Sequence, residues 1–501
     1  MDENVVFDPN RGVKEADNQQ AQNSPQDSIS GINPNTEPNA VPDQAIKDSF
    51  VAESPTLQQS EIPPIAPPPI KPRGGKLKKI IIGVVIFIIL LLLIILIIPK
   101  GGGNTKAKLV WWGLWEDQSN IQPLIDDFHK SNPNITIEYI KQDPKLYREK
   151  LEARIKNGTG PDIFRFHNTW VPMLSGNLLP LSSDVISPTE FKKSFYPVMQ
   201  KDLVQNGAIY GIPLGTDALG LFVNTEILDQ AGIKPPQTWE DFVKAAKALT
   251  VKDGGKIKTS GAALGTYGNI THAPDIISLL FVQQGVDMNK FPKYAKDESD
   301  AINFYTSFAK GENSVWDSTL DESILSFGRG TLAMYIGYSW DIFRIQAINS
   351  NLPFKTFPVP QLVGKKATIA SYWVEGISSK SKQQKAALLF MQYLAKKETA
   401  QKFYSTVSKT RPFGEPYARV DLQKSLKDNK TLYPFVSQLD TAGSSFFASD
   451  TNDGTGGINS LSNNYLGDTI NSMVNDNSSA ESVIDTLDKG VAQVLQKYGI
   501  Q

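Results

Sequence analysis

Residues 108–164 read KLVWWGLWEDQSNIQPLIDDFHKSNPNITIEYIKQDPKLYREKLEARIKNGTGPDIF and switch repeatedly between two hydrophobic periods. Residues 108–112 (KLVWW) form a short apolar run that reads as a strand. Ser119 is placed to cap a helix whose Ile121, Leu124, Ile125 and Phe128 recur at i, i+3, i+4 and i+7, one face of a helix. Asn132-Pro133-Asn134 ends it, since proline cannot donate a backbone hydrogen bond. Ile135, Ile137 and Tyr139 then alternate with polar neighbours, as one face of a strand does. A charged helix bearing Leu146, Leu151 and Ile155 runs to Gly158, and Pro161-Asp162-Ile163-Phe164 reads as another buried strand. This β-α-β-α-β order predicts a parallel sheet with right-handed crossovers. Ligands at such sheets bind beyond the carboxyl ends of the strands, which singles out residues 113–117 and 165–170.

The pattern continues outward. Residues 209–223 read as two extended pieces around Gly215-Thr216-Asp217, and residues 239–249 as a helix capped by Thr238. Residues 327–338 hold a turn followed by a buried strand. Residues 381–404 form a helical stretch with Ala387, Phe390, Met391 and Leu394 on one side, and residues 479–498 a last amphipathic helix. No solenoid-like repeat is present. The fold class predicted is α/β, with more helix than strand.

Upstream lies a different kind of chain. Residues 1–79 are rich in Pro, Asn, Gln, Ser and Asp, and then in Lys and Arg, with no helical or strand period. Such a segment buries too little surface to offset its chain entropy, which predicts a disordered tail. Residues 80–98 carry no charge and show no polar face. As a helix at ~1.5 Å per residue they cover about 28 Å, enough to cross the hydrocarbon core of a bilayer. No small-residue cleavage pattern follows, so we read an uncleaved transmembrane anchor. Lys71, Arg73, Lys76, Lys78 and Lys79 on its amino-terminal side place the tail in the cytoplasm and the remainder outside. Residues 99–106 form a flexible linker.

Composition excludes several function classes. The 501 residues carry a formal net charge of -1, which argues against a nucleic-acid partner. There is no cysteine, hence no disulfide, thiolate metal site, cysteine nucleophile or lipid on a cysteine. The three histidines, His129, His167 and His272, share no metal-ligand spacing. Asp450-Thr451-Asn452-Asp453-Gly454 departs from the calcium-loop pattern and reads as a solvated loop. No cofactor and no metal is expected.

Six segments in register carry a resemblance. They are residues 156–163 (KNGTGPDI), 209–213 (IYGIP), 221–228 (LFVNTEIL), 236–242 (PQTWEDF), 327–334 (FGRGTLAM), and 377–380 (ISSK) with its following helix. In this order, and across nearly all of residues 107–501, the chain resembles the family 1 extracellular solute-binding proteins, which include the maltose- and oligosaccharide-binding receptors of ABC transporters. The resemblance implies a two-lobed periplasmic-binding-protein-like (type II) α/β fold, with hinge strands and a ligand cleft between the lobes. It implies lobe 1 over 107–216, lobe 2 over 217–356, a return to lobe 1 over 357–397, and lobe 2 again over 398–501. It also implies a sugar or oligosaccharide ligand and, as partner, an ABC transporter permease. With no cysteine for a lipid, the helix at 80–98 takes the place of the usual anchor.

A saccharide offers a flat face of C–H bonds and a rim of hydroxyls, which call for aromatic faces and for carboxylate, amide or guanidinium groups. Trp115, Trp170, Trp340 and Trp373 all fall near the ends of expected strands, beside Glu116, Arg165 and His167, Asp341, and Glu375; Asp217 falls at the crossover. These ten residues are the expected ligand-binding set. The tryptophans also suit a core or lobe-interface role, Arg165 a lobe contact, and His167 a satisfied loop position. Two further functions compete: an anchored sensory or adhesive carbohydrate-binding module, and a glycoside hydrolase using two carboxylates. No pair of acids stands out for the latter, and we expect a receptor and not an enzyme.

Overall fold

The computed structural model describes residues 106–288, 290, 295–312 and 314–500. The expected tail at 1–79, the expected span at 80–98 and almost all of the linker at 99–106 lie outside the described residues. Among the described residues no helix is long and apolar enough to cross a membrane.

In chain order the strands are β1 (Ala107–Gly113), β2 (Ile135–Lys141), β3 (Ile163–His167), β4 (Val204–Gln205), β5 (Ala208–Ile209), β6 (Ile212–Pro213), β7 (Asp217–Ala218) and β8 (Gly220–Asn224). There follow β9 (Val251–Asp253), β10 (Lys256–Ala262), β11 (Leu332–Gly337), β12 (Phe354–Pro358), β13 (Thr368–Ser371), β14 (Trp373–Ile377) and β15 (Ala442–Gly443). One sheet has the order β2-β1-β3-β14-β6 and a second the order β12-β8-β11-β10-β9. Each is the floor of one lobe, and helices cover both. β4 and β5 form a small antiparallel ribbon.

The opening β-α-β-α-β segment folds as its periods demand. β1 runs parallel to β2 on one side and to β3 on the other. The helix Gln118–Ser131 buries Ile121, Leu124, Ile125 and Phe128. It begins earlier than Ser119 implies, at Asp117, whose side chain makes no capping bond. The helix Tyr147–Lys156 buries Leu151 and Ile155, but Leu146 lies just before it in a left-handed conformation and stays exposed. In the core between these layers Trp111 meets Tyr139 edge-on at 5.1 Å and Phe390 at 5.3 Å.

In the second lobe β10 and β11 are parallel, while β8 and β12 are antiparallel to their neighbours. The helix Trp239–Leu249 has the expected bounds, and the Thr238 hydroxyl accepts from the Asp241 amide. This helix crosses β10 at Gly261, where a Cβ would overlap the carbonyl of Ala246. Gly261→Ala should therefore cost about 1–3 kcal/mol by overpacking, read from the shift in a urea-unfolding midpoint. An unshifted midpoint would mean that helix and strand are further apart than described.

Between the sheets lies a three-stranded sheet, β15-β13-β7. β7 pairs antiparallel with β13 through Ala218–Ala370 and Asp217–Ser371. The chain leaves the first lobe through β6 and β7 to β8, and leaves the second through β12 and β13 to β14. Phe357 pairs with Leu221 in the second sheet, and β13 follows it in the three-stranded sheet. The expected continuous helix at 381–404 is two helices, Gln384–Leu394 and Lys397–Val407, separated by an extended Lys396. The second packs on Gln118–Ser131, with Lys402 Nζ 3.0 Å from Asp127, and Tyr393 of the first helix donates its hydroxyl to the same carboxylate at 3.1 Å. The last two helices, Ile458–Asn475 and Ala480–Lys497, pack on Ala295–Thr306.

Candidate ligand-binding cleft

A cavity of about 510 Å³ opens between the lobes, and its walls come from where the strands end. β1, β2 and β3 deliver Trp115 with Glu116, Pro144, and Arg165 to one wall; β11 delivers Ser339 and Trp340 to the other. Asp217 and Ser371, on β7 and β13, form part of the floor. The volume is that of an ordinary small-molecule site.

The first wall is an aromatic stack. Trp115 is 42% exposed and meets Trp373 edge-on at 5.4 Å. Behind Trp373 stand Trp170 at 5.5 Å and the His167 ring at 5.1 Å. On the facing wall Trp340 lies flat on Tyr338, with centroids 4.2 Å apart and planes at 18°. Each wall therefore presents an indole held in place by rings beneath it.

A buried ion triad braces the first wall. The Arg165 guanidinium bonds to Glu116 on one side, and on the other its Nε donates to Glu375 at 2.7 Å. Glu375 also accepts from Trp111 Nε1 at 2.7 Å. All three members are at least 95% buried. Burial opposes the charge on Arg165, but the two carboxylates outweigh it and hold the guanidinium protonated well above its ordinary range. Burial pushes Glu375 up, and Arg165 pulls it back. Glu116 and Arg165 line the cavity, and Glu375 lies behind them.

Asp217 sits at the crossing between lobes. Its carboxylate accepts from the Ser339 amide at 2.8 Å, the Ser339 hydroxyl at 2.5 Å and the Ala218 amide at 2.8 Å. Burial raises its pKa to about 7 against the pull of those bonds.

Six of the ten expected residues thus share the cavity: Trp115, Glu116, Arg165, Asp217, Trp340 and Trp373. The other four do not line it. Trp170 is fully buried under Trp373. Glu375 is the inner carboxylate of the triad. His167 is buried, with Nδ1 2.8 Å from the Thr169 hydroxyl and Nε2 3.0 Å from Ser371 Oγ. Asp341, at the start of its helix, accepts from the Tyr335 hydroxyl at 2.8 Å and the Tyr338 amide at 3.1 Å, and pairs with His272 at 2.8 Å. It positions the Trp340 wall from behind.

Burial lowers the His167 pKa to about 3, below the 6.5 of a free imidazole. Between those values the unfolded chain binds a proton that the folded chain refuses, so stability rises with pH. The contribution is complete above pH 6.5 and is lost as pH falls toward 3. His167→Gln should therefore flatten the loss of unfolding free energy between pH 6.5 and 4. Parallel curves for the two proteins would contradict a buried neutral imidazole.

Other lining residues escaped the sequence reading. Phe343 follows Trp340 by three positions and packs on Phe413 at 4.8 Å, with Arg411 over its face at 5.2 Å. Arg411 also pairs with Glu415. Helical spacing from Trp340 is a signal for Phe343; residues 411–415 sit in a loop with no period to read. Asp450 and Asn452 lie in the acidic loop set aside as solvated.

Comparisons with known proteins agree with this architecture. The multiple sugar-binding protein of Streptococcus mutans is 22% identical over 318 residues, covering 58% of this chain and 71% of that protein. Among solved structures, the sugar-binding protein MalE of Xanthomonas citri superposes with a TM-score of 0.65 at 20% identity, covering 78% of this chain and 98% of that one. A cyclo/maltodextrin-binding protein complexed with maltotetraose gives 0.64 at 18%, covering 79% and 99%. These likenesses confirm a two-lobed α/β fold similar to that of maltose-binding proteins. The model of the bacterial extracellular solute-binding proteins matches residues 112–401, more than half of the sequence, and the chain belongs to that family.

Proposed function

We propose that this chain is a membrane-anchored extracellular receptor that holds a saccharide between its lobes and presents it to an ABC transporter permease. The observation that carries the reading is the pair of facing indoles, Trp115 braced by Trp373 and Trp340 laid on Tyr338, with carboxylate, hydroxyl and guanidinium groups between them. Apolar ring faces flanked by polar groups suit the flat face and hydroxyl rim of a sugar. The relatives named above are sugar-binding or maltodextrin-binding proteins, which supports the same ligand class. Trp115, Glu116, Arg165, Asp217, Trp340 and Trp373 contact the ligand or its hydration shell. His167, Trp170, Asp341 and Glu375 position them.

Lobe 1 comprises 107–216 with 372–407, and lobe 2 comprises 219–358 with the last two helices. β7, β13 and β15 are the hinge on which the lobes close. The uncharged stretch 80–98, with lysines and an arginine before it, supports a single span with its amino terminus in the cytoplasm and residues 107–501 outside.

A thermal-shift screen of the full chain against maltotetraose, raffinose, mannotriose, glycerol phosphate and spermidine tests the ligand class. A ligand that binds only the folded state raises the melting temperature. We expect a rise with a saccharide and no product after prolonged incubation. A rise with the phosphate or the polyamine alone would refute the saccharide reading, and release of a hydrolysed sugar would refute the receptor.

A further inference from the structure

The segment 449–453 runs along the rim of the cleft and is fastened to both lobes. On the second lobe, Ser449 Oγ lies 2.8 Å from His272 Nδ1, and the Ser449 amide donates to Asp275 at 2.9 Å. On the first lobe, Arg148 Nε donates to the Asp453 carbonyl at 2.5 Å, and Arg148 is itself held by Glu152 at 2.9 Å. The Asp453 carboxylate is occupied: it accepts from the Asn459 amide and the Ser460 hydroxyl, both at 2.6 Å, at the start of the helix Ile458–Asn475. Asn459 Oδ1 accepts from Thr169 of the first lobe at 2.8 Å. Gly454 follows, with φ +73°, where a Cβ would run into Glu149.

Between these fastenings the side chains divide. Thr451 and Asp453 are buried, whereas Asp450 and Asn452 are exposed and line the cavity. Asp450 and Asn452 both take positive φ, 56° and 53°, as single residues. Aspartate and asparagine tolerate that conformation better than other side-chain-bearing residues. Asp450 Oδ2 is 3.7 Å from His272 Nδ1, a loose pairing that leaves the carboxylate open to the cavity. Asn452 Nδ2 donates to the Asp450 carbonyl at 3.0 Å, and its amide oxygen has no such partner among the described residues.

We propose that residues 449–453 are a ligand-reading strap, in which the Asp450 carboxylate and the Asn452 amide bind hydroxyls of the occupant. Because the strap is tied to His272 and Asp275 on one lobe and to Arg148 on the other, its grip on the occupant is coupled to the spacing of the lobes. The first half of the statement rests on the saccharide reading given above; the tether does not.

The test uses the full chain in detergent with maltotetraose, raffinose and mannotriose as probes in titration calorimetry. Asp450→Asn and Asn452→Ala should each weaken binding of the saccharide that the wild type takes by about tenfold, the loss of one hydrogen bond to a ligand. Asp450→Asn keeps a residue that tolerates its positive φ, so its melting temperature should not move, whereas Asn452→Ala puts alanine at φ 53° and should lose a few degrees. Arg148→Gln, which touches no occupant, should weaken binding to a similar extent. Without any probe it should speed amide exchange at 449–453 and broaden the distance between spin labels on the two lobes. Affinities of both strap variants within twofold of wild type would overturn the ligand contacts. Unchanged exchange and unchanged label distances in Arg148→Gln would overturn the tether. If the wild type binds none of the three probes, the saccharide reading and the hydroxyl contacts fall together, and the Arg148→Gln readouts alone decide the tether.

Discussion

Arg165→Met should destabilise the folded chain by about 3–5 kcal/mol, the usual cost of removing one partner from a buried ion pair. The loss of a contact is the smaller part of this. Glu116 and Glu375 would remain side by side in a buried wall with no cation between them. Glu375 cannot turn away, because Trp111 Nε1 and the strand pairing of β14 with β3 hold it there. Urea unfolding followed by tryptophan fluorescence measures the effect. Replacing all three members together, as Arg165→Met with Glu116→Leu and Glu375→Leu, should recover most of the stability, because the uncompensated charges go too. A drop below about 1 kcal/mol for Arg165→Met, within the range of an exposed pair, would show that the triad is wet.

Trp340→Ala should weaken saccharide binding by about 100-fold, in the range of a strong interfacial hot spot. The indole is laid on Tyr338, so its free face is fixed toward the cleft before a ligand arrives, and little ordering entropy is left to lose on binding. Trp340→Phe, which keeps a smaller ring, should fall between the two. Trp340 is only partly buried, so neither change should shift the melting temperature by more than a few degrees. Calorimetry on the three proteins with one saccharide gives the ratio. Equal affinities would mean that the occupant sits elsewhere.

The sequence discloses the parts of this fold that follow from local periods. Ile121, Leu124, Ile125 and Phe128 announce one face of a helix, and that face is buried in a helix that packs on β2 and on Lys397–Val407. Thr238 and the run after it give the helix Trp239–Leu249 with its cap. The positions of Trp115 and Trp340 follow from a topological rule, since both come just after strands whose carboxyl ends point at the cleft.

What the sequence hides is long-range. Arg165 and Glu375 are 210 residues apart and meet only because β14 returns antiparallel beside β3. Without that pairing, Glu375 and Asp341 look like ligand contacts. Within it, one is the counterion of Arg165 and the other turns its Oδ2 to Tyr335, Tyr338 and His272. The helix Lys397–Val407 packs on Gln118–Ser131, where Lys402 meets Asp127, a pairing that no local pattern signals. The strap at 449–453 lacks a period altogether, and its importance appears only when both of its ends are seen to be tied.

A crystal structure of the chain with the saccharide that most raises its melting temperature tests directly whether the cleft between Trp115 and Trp340 is the binding site. One ligand is expected between the lobes, with sugar rings against the faces of Trp115 and Trp340 and hydroxyls within hydrogen-bond reach of the polar groups between them. A saccharide bound on the outside of either lobe, with the space between Trp115 and Trp340 filled only by water, would contradict it.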